Sequence, residues 1–355
     1  MKNLLCPFAI WFLVFTGISA AQIPLEIGGD IETCVNLDLD ESDTLRSRTT
    51  FKLNLDSYVG DKVHGYVSLK MYTDRIPHFD WIMNEAYIDY YTSKFDLRTG
   101  VQIISWGTAY RLNPTDNINP FDLTALETFI PEEKLGIAAL RLKYYPTTNL
   151  ILTGIFIPYF VPALEMPNVV LPERKLENSE YAFKITTQSI IECDLSASYF
   201  RGKEDYPWIN GQYRDVEIFG GDIIGTIWEM AFWAEGAYTK PDTGDSYYQI
   251  AGGGEYTFGN DLYCMGQVYH INYPDAHENY LMAVLRYPFM DIHTLQLGTA
   301  YEIENEIFIG FPEITLSLAD AASFVMSGVF VNGDITGTLM SGLKHGIILK
   351  LEYSF

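Results

Sequence analysis

Along most of this chain apolar and polar residues alternate one for one. Phe51, Leu53 and Leu55 are interleaved with Lys52, Asn54 and Asp56. Ala86, Ile88 and Tyr90 are interleaved with Tyr87 and Asp89, and Leu97, Thr99, Val101 and Ile103 with Arg98, Gly100 and Gln102. The pattern recurs at Ala138–Tyr144 around Arg141 and Lys143, at Tyr181–Ile185 around Lys184, and at Ile347–Phe355 around Lys350, Glu352 and Ser354. A strand sends successive side chains to opposite faces, so period two predicts strands with one apolar and one polar face.

The connections carry a second pattern. Short turns are expected at Val59-Gly60-Asp61, Thr92-Ser93, Pro146-Thr147-Thr148-Asn149, Gly259-Asn260-Asp261 and Pro288-Phe289-Met290. Between them lie longer links at 73–80, 107–134, 158–178, 203–214, 240–246, 273–278, 304–312 and 332–342. Regular alternation of short and long connections is the signature of single-chain membrane barrels, which carry an even number of strands. The fold class is therefore all-β, a transmembrane antiparallel up-and-down β-barrel. Counting back from the last strand gives about 18 strands, the first near Glu26 to Asp38; about 16 result if the weakly marked turn near Thr226 does not divide Val216–Lys240.

The two ends extend this reading. Lys2, the apolar run Leu4–Gly17 and the small residues Ser19-Ala20-Ala21 predict a signal peptide over 1–21, leaving 22–355 as a single barrel domain. No later segment approaches the roughly 20 apolar residues of a spanning helix. A strand ending on Phe355 resembles the C-terminal signature of bacterial outer-membrane barrels. That resemblance implies the outer membrane of a Gram-negative-type envelope, with outer-membrane lipid, lipopolysaccharide and, through the Phe355 strand, the barrel-assembly machinery as partners. A homo-oligomer fits as well as a monomer.

Composition narrows the chemistry. Aromatic residues make up 15% and charged residues 19%, and the net charge is −23. Such a surface excludes nucleic acid as a partner. The acidity is uneven, −8 over 22–187 and −16 over 188–355. Beyond the signal peptide, Cys34, Cys193 and Cys264 are odd in number and widely spaced, which predicts neither a disulfide framework nor a zinc site. The six histidines carry no hydrolase or metalloprotease spacing, and no Gly-rich loop is placed to cradle phosphate. No enzyme, cofactor or metal is expected.

The most distinctive stretch runs Gly100-Val101-Gln102-Ile103-Ile104-Ser105-Trp106-Gly107 and continues through Asn113-Pro114-Thr115-Asp116-Asn117-Ile118-Asn119-Pro120-Phe121-Asp122. Proline-fixed φ angles and Asx side chains predict a structured loop. Trp106 is expected in an outer aromatic girdle, as are the pairs Tyr90-Tyr91, Tyr144-Tyr145, Tyr247-Tyr248 and Phe232-Trp233. Residues 81–123 resemble a largely uncharacterised family of channel-like outer-membrane barrels with a Gly-x-Gln-x-x-x-Trp-Gly strand end and an Asn-Pro-x-Asp loop. They resemble the alginate-export barrels more distantly. The resemblance implies a channel and leaves its cargo open. Loop 107–134, with Trp106, Asn113, Asp116, Asn119 and Asp122, is the candidate constriction; the alternative is a loop that only caps the rim.

Charge on strand faces supplies the remaining candidates. Arg46, Arg48 and Lys52 share one face, Arg141 and Lys143 another, with Arg98 on the strand between. A mid-bilayer Arg or Lys facing lipid costs about 2–4 kcal/mol, so these residues are expected to line the lumen together with Gln102. Glu229 and Glu235 are expected on the opposite wall, giving a transverse field; a salt-bridged, closed lumen is the alternative. The apolar, proline-rich loop 158–172 offers a second use, as a port for hydrophobic compounds. The function expected is a porin-like channel for passive passage of small polar or charged solutes. The competing readings are a transporter of hydrophobic compounds or lipids, and a plugged structural or adhesin-like barrel.

Overall fold

The computed structural model describes residues 24–40, 44–75, 78–122, 134–163, 169, 171–190, 192–206, 211–273, 277–336, 338–340 and 343–355. The segment read as a signal peptide lies outside the described residues, as do 123–133 of the candidate constriction and 164–168 of the apolar loop. The strands are β1 (Leu25–Asp38), β2 (Thr44–Val59), β3 (Val63–Arg75), β4 (His78–Tyr91), β5 (Phe95–Gln102), β6 (Ile137–Thr147), β7 (Leu150–Ile157), β8 (Glu180–Ile190) and β9 (Cys193–Lys203). They continue as β10 (Asp215–Ile227), β11 (Met230–Pro241), β12 (Tyr247–Thr257), β13 (Tyr263–Asn272), β14 (His277–Phe289), β15 (His293–Glu302), β16 (Ile307–Ala319), β17 (Ala322–Asn332) and β18 (Gly346–Ser354).

Each strand pairs antiparallel with its sequence neighbour, and β1 pairs with β18 from Asp30↔Ser354 to Asp38↔Gly346. The 18-stranded sheet is thus closed and has no free edge. One end carries the connections 60–62, 92–94, 148–149, 191–192, 228–229, 258–262, 290–292 and 320–321, and the other end carries the rest. Two links expected to be long are short. The one at 73–80 shrinks to 76–77, and the one at 304–312 to 303–306, because alternating residues on both sides prolong the strands. The β10–β11 turn falls at Trp228-Glu229, both with positive φ, two residues beyond Thr226, and gives 18 strands.

The distribution of polarity is that of a bilayer-spanning barrel. Outward residues are apolar and exposed, among them Leu142 at 44%, Phe183 at 55% and Leu297 at 43%. Inward residues include buried Arg48, Lys70, Asp89, Gln102, Glu235, Gln267, Glu278 and Glu302. With no water at the hydrocarbon face, a closed ladder and an apolar exterior satisfy both backbone and side chains. Period two also corrects the aromatic girdle. In the pairs Tyr90-Tyr91, Tyr144-Tyr145 and Tyr247-Tyr248, the first or second ring faces out while its neighbour faces in: Tyr91 donates to Asp89 and Tyr145 to Asp96. Trp233 turns inward as well, donating its indole N–H to Gln267 at 2.8 Å.

Candidate functional site: a strapped lumen

The lumen is organised by residues 103–122. β5 stops after eight residues although β4 has fourteen, and the chain leaves the wall at Gln102. Asn119 fixes the departure point. Its amide donates to the Gln102 and Leu135 carbonyls at 3.0 and 2.7 Å, and its Oδ1 accepts Ile104 N–H at 2.8 Å. Gln102 donates to the Ala139 carbonyl of β6 at 2.9 Å. Farther along, Asp116 accepts Trp106 N–H at 3.1 Å and pairs with Lys134 at 2.7 Å, while Asn113 donates to the Trp106 carbonyl at 3.0 Å. Gly107 has φ +81°, and a Cβ there would lie 2.2 Å from Asn113 Oδ1, so this tight fold admits only glycine.

The loop then reaches the far wall. Glu235 of β11 accepts the backbone N–H groups of Thr108 at 2.6 Å, Ala109 at 3.2 Å and Thr115 at 3.5 Å. Gln267 of β13 closes a reciprocal pair with Tyr110, accepting its N–H at 2.7 Å and donating to its carbonyl at 2.9 Å. From β5 to β13 is eight places around an 18-strand ring, so the segment crosses the barrel interior. Trp106, Ile104 and Ile118 pack with Ile155, Ile157, Ala182, Phe200 and Ile218 on one side of it. Ala109, Tyr110 and Leu112 pack beside Tyr269, Tyr280 and Ile309 on the other, where Met340 and Leu343 of the last long connection also enter. Glu278 holds that second loop by accepting Leu339 N–H at 3.0 Å.

These contacts place Trp106, Asn113, Asp116 and Asn119 inside the barrel in one network, and Asp122 is buried as well. Trp106 is not a girdle residue: β5 ends before it, and its ring lies under Lys184 Nζ, 5.7 Å from the centroid. Glu229 is not on the wall at all, because it occupies the β10–β11 turn. Glu235 faces inward, but its carboxylate is engaged by the strap, so the expected transverse field between basic and acidic walls does not arise from this pair. In loop 158–172, Val161 packs inward and the Phe160 ring lies tilted against Tyr213 with centroids 4.8 Å apart, so its described first part is covered.

The inner face of β1–β6 and β18 is different in kind. Arg46, Arg48, Lys52, Arg98, Arg141 and Lys143 all point inward, since Leu45, Leu53, Leu97 and Leu142 between them point out. Two of the cations are neutralised by two-point contacts. Arg48 meets Asp74 at 2.6 and 2.9 Å, and Arg98 meets Asp89 at 2.6 and 2.8 Å. Asp89 also contacts His64 Nδ1 at 3.0 Å, and His64 Nε2 contacts Asp56 at 3.2 Å. Tyr58, His64, Tyr66 and Tyr87 form a continuous aromatic strip, with Arg98 3.6 Å above Tyr87. Lys350 bridges Glu352 at 2.6 Å and Glu32 at 3.4 Å. Arg46, Lys52, Arg141 and Lys143 have no such partner among the described residues.

Above the strap, the long-loop end adds one perturbed acid. Burial pushes the Asp205 carboxyl up to about 7; Lys134 pulls it back, and Asp116 and Glu204 add to the rise. Asp205 is therefore a rim group whose charge changes near neutrality, next to the Asp116–Lys134 pair that holds the strap. Gln267, Glu278 and the His64–Asp89 pair carry no signal of their own in the sequence, and the signal at Trp233 points to a girdle. Their inward parity on β3, β4, β11, β13 and β14 was readable; their partners, separated by up to 157 residues, were not.

No protein-family model matches the chain, and no curated protein matches it in sequence. Solved structures do resemble it. The outer membrane protein opdK from Pseudomonas aeruginosa superposes with a TM-score of 0.62 at 9% identity, over 93% of this chain and 98% of that one. OccAB4 of Acinetobacter baumannii gives 0.60 at 10% identity, over 95% and 100%. Salmonella typhi OmpF, solved with daunomycin, gives 0.52 at 11% identity, over 95% and 99%. The chain therefore shares its barrel fold with outer-membrane porins and channels.

Proposed function

We propose that this protein is a porin-like channel of a bacterial outer membrane, through which small polar or charged solutes pass passively. The observation that carries the reading is the asymmetry of the interior. A strap fastened to both walls packs the β6–β17 side with apolar side chains and leaves the β1–β6 side lined with half-buried polar and charged groups. The apolar exterior sets the protein in a bilayer, and the barrel fold it shares with outer-membrane channels supports that compartment. Water and solute follow the charged wall, because each lysine or arginine on it would be costly to dehydrate without a partner. No residue of this wall is assigned a catalytic role.

Purified protein reconstituted into a planar bilayer in KCl is expected to give stepwise, ohmic current increments. Correctly folded protein that inserts and carries no current would overturn the channel reading in favour of a plugged barrel.

A further inference from the structure

We propose that Arg141 and Lys143 form a binding subsite for the carboxylate of a passing solute, an inference that rests on the channel reading above. The two residues sit two apart on β6, so both side chains project into the lumen while Leu142 faces lipid. Both remain half-buried without an ion pair or hydrogen bond among the described residues, although most of the cations around them are paired. Arg48 is taken by Asp74, Arg98 by Asp89, Lys184 by Asp222 and Lys350 by Glu352.

The acids close to the pair are already engaged. Asp89 accepts from Arg98, His64 and Tyr91, and Asp96, directly across from Lys143, accepts Tyr145 O–H at 2.5 Å. On the other flank Arg141 pairs in register with buried Ile155 and Lys143 with buried Thr153, which offer no counter-charge. Arg98, Arg141 and Lys143 set against Asp89 and Asp96 leave one positive charge in excess. Asp56 contacts His64 and is not among the charges that act on Arg141 and Lys143. A single excess charge matches a monoanion better than a dianion. The planar fork of Arg141 fits the two oxygens of a carboxylate, and Lys143 adds a point charge beside it.

The subsite makes permeation of carboxylates saturable. The test is single-channel recording in KCl with added gluconate, with sorbitol as its uncharged counterpart and inorganic phosphate as the dianion. Gluconate is expected to reduce the current in a concentration-dependent, saturating way, and sorbitol is not. Arg141→Gln and Lys143→Gln should each raise the half-blocking concentration about tenfold, the loss of one charge-assisted contact, measured relative to each variant's own KCl current. Arg141→Lys and Lys143→Arg should recover part of the block, which a purely structural role would not require.

A conducting wild type in which gluconate acts no better than sorbitol, or in which both Gln variants block unchanged, overturns the subsite and leaves the channel intact. Stronger block by phosphate than by gluconate overturns the carboxylate assignment. If the wild type carries no current, the channel reading fails, and calorimetric titration of the detergent-solubilised protein with gluconate decides the site: heat lost in both Gln variants supports it, and no heat in the wild type removes it.

Discussion

Glu235 shows how a charged side chain in a barrel lumen can serve architecture. Its two oxygens accept three backbone N–H groups from a loop more than a hundred positions away in sequence, and Gln267 repeats the device with Tyr110. Unsatisfied buried N–H groups each cost about 1–3 kcal/mol, so the carboxylate is a strong clamp. Glu235→Ala removes every acceptor at once and releases the strap on that side. Its barrel should stay folded, because the wall ladder does not pass through Glu235's side chain. The open channel should become noisier and more conductive, read in single-channel traces. Unchanged conductance and noise would mean that the strap is held by its apolar packing alone.

At the level of the strand, facing is decided by parity, and the sequence shows parity clearly. Leu142 lies between Arg141 and Lys143 yet faces lipid, 44% exposed. Leu142→Arg should therefore destabilise the folded protein in lipid by about 2–4 kcal/mol if it lies near the midplane, seen as a lower urea midpoint in vesicles, whereas Arg141→Leu should not carry that penalty. The number and order of strands, the inward direction of Arg46, Arg48, Lys52, Arg98, Gln102, Arg141 and Lys143, and the closure of β1 on β18 all follow from this periodicity. What parity does not encode is where a strand stops. The β10–β11 turn is made by Trp228 and Glu229, neither a usual turn former, so its exact position, and with it Glu229's place off the wall, is not legible from periodicity. Alternation runs on through Ile103 and so predicts Trp106 in a girdle; the exit at Gln102 is dictated by Asn119, seventeen residues later.

For the whole molecule, the same limits explain its charge. The second half of the barrel carries most of the net negative charge, which in isolation suggests a cation-selective wall. In the fold, Glu235, Glu278 and Glu302 are buried and accept backbone N–H groups from the strap, the last long connection and the 303–306 turn. Those acids organise loops, and the field felt by a solute is set mainly by β1–β6 and β18, where Arg46, Lys52, Arg141 and Lys143 remain unpaired among the described residues. Basic residues along that wall were legible as a strip; which of them are neutralised was not, since Asp74 and Asp89 are brought to Arg48 and Arg98 only by strand register.

On the channel reading, ions pass along this wall and not through the packed side of the barrel. Lys52 faces the lumen there and Leu53, its neighbour, faces lipid. In a background lacking Cys34, Cys193 and Cys264, Lys52→Cys and Leu53→Cys channels can be treated with a charged, bulky methanethiosulfonate during bilayer recording. An abrupt fall in current is expected for Lys52→Cys and no change for Leu53→Cys. Equal responses at the two positions, or a response at Leu53→Cys alone, would contradict it.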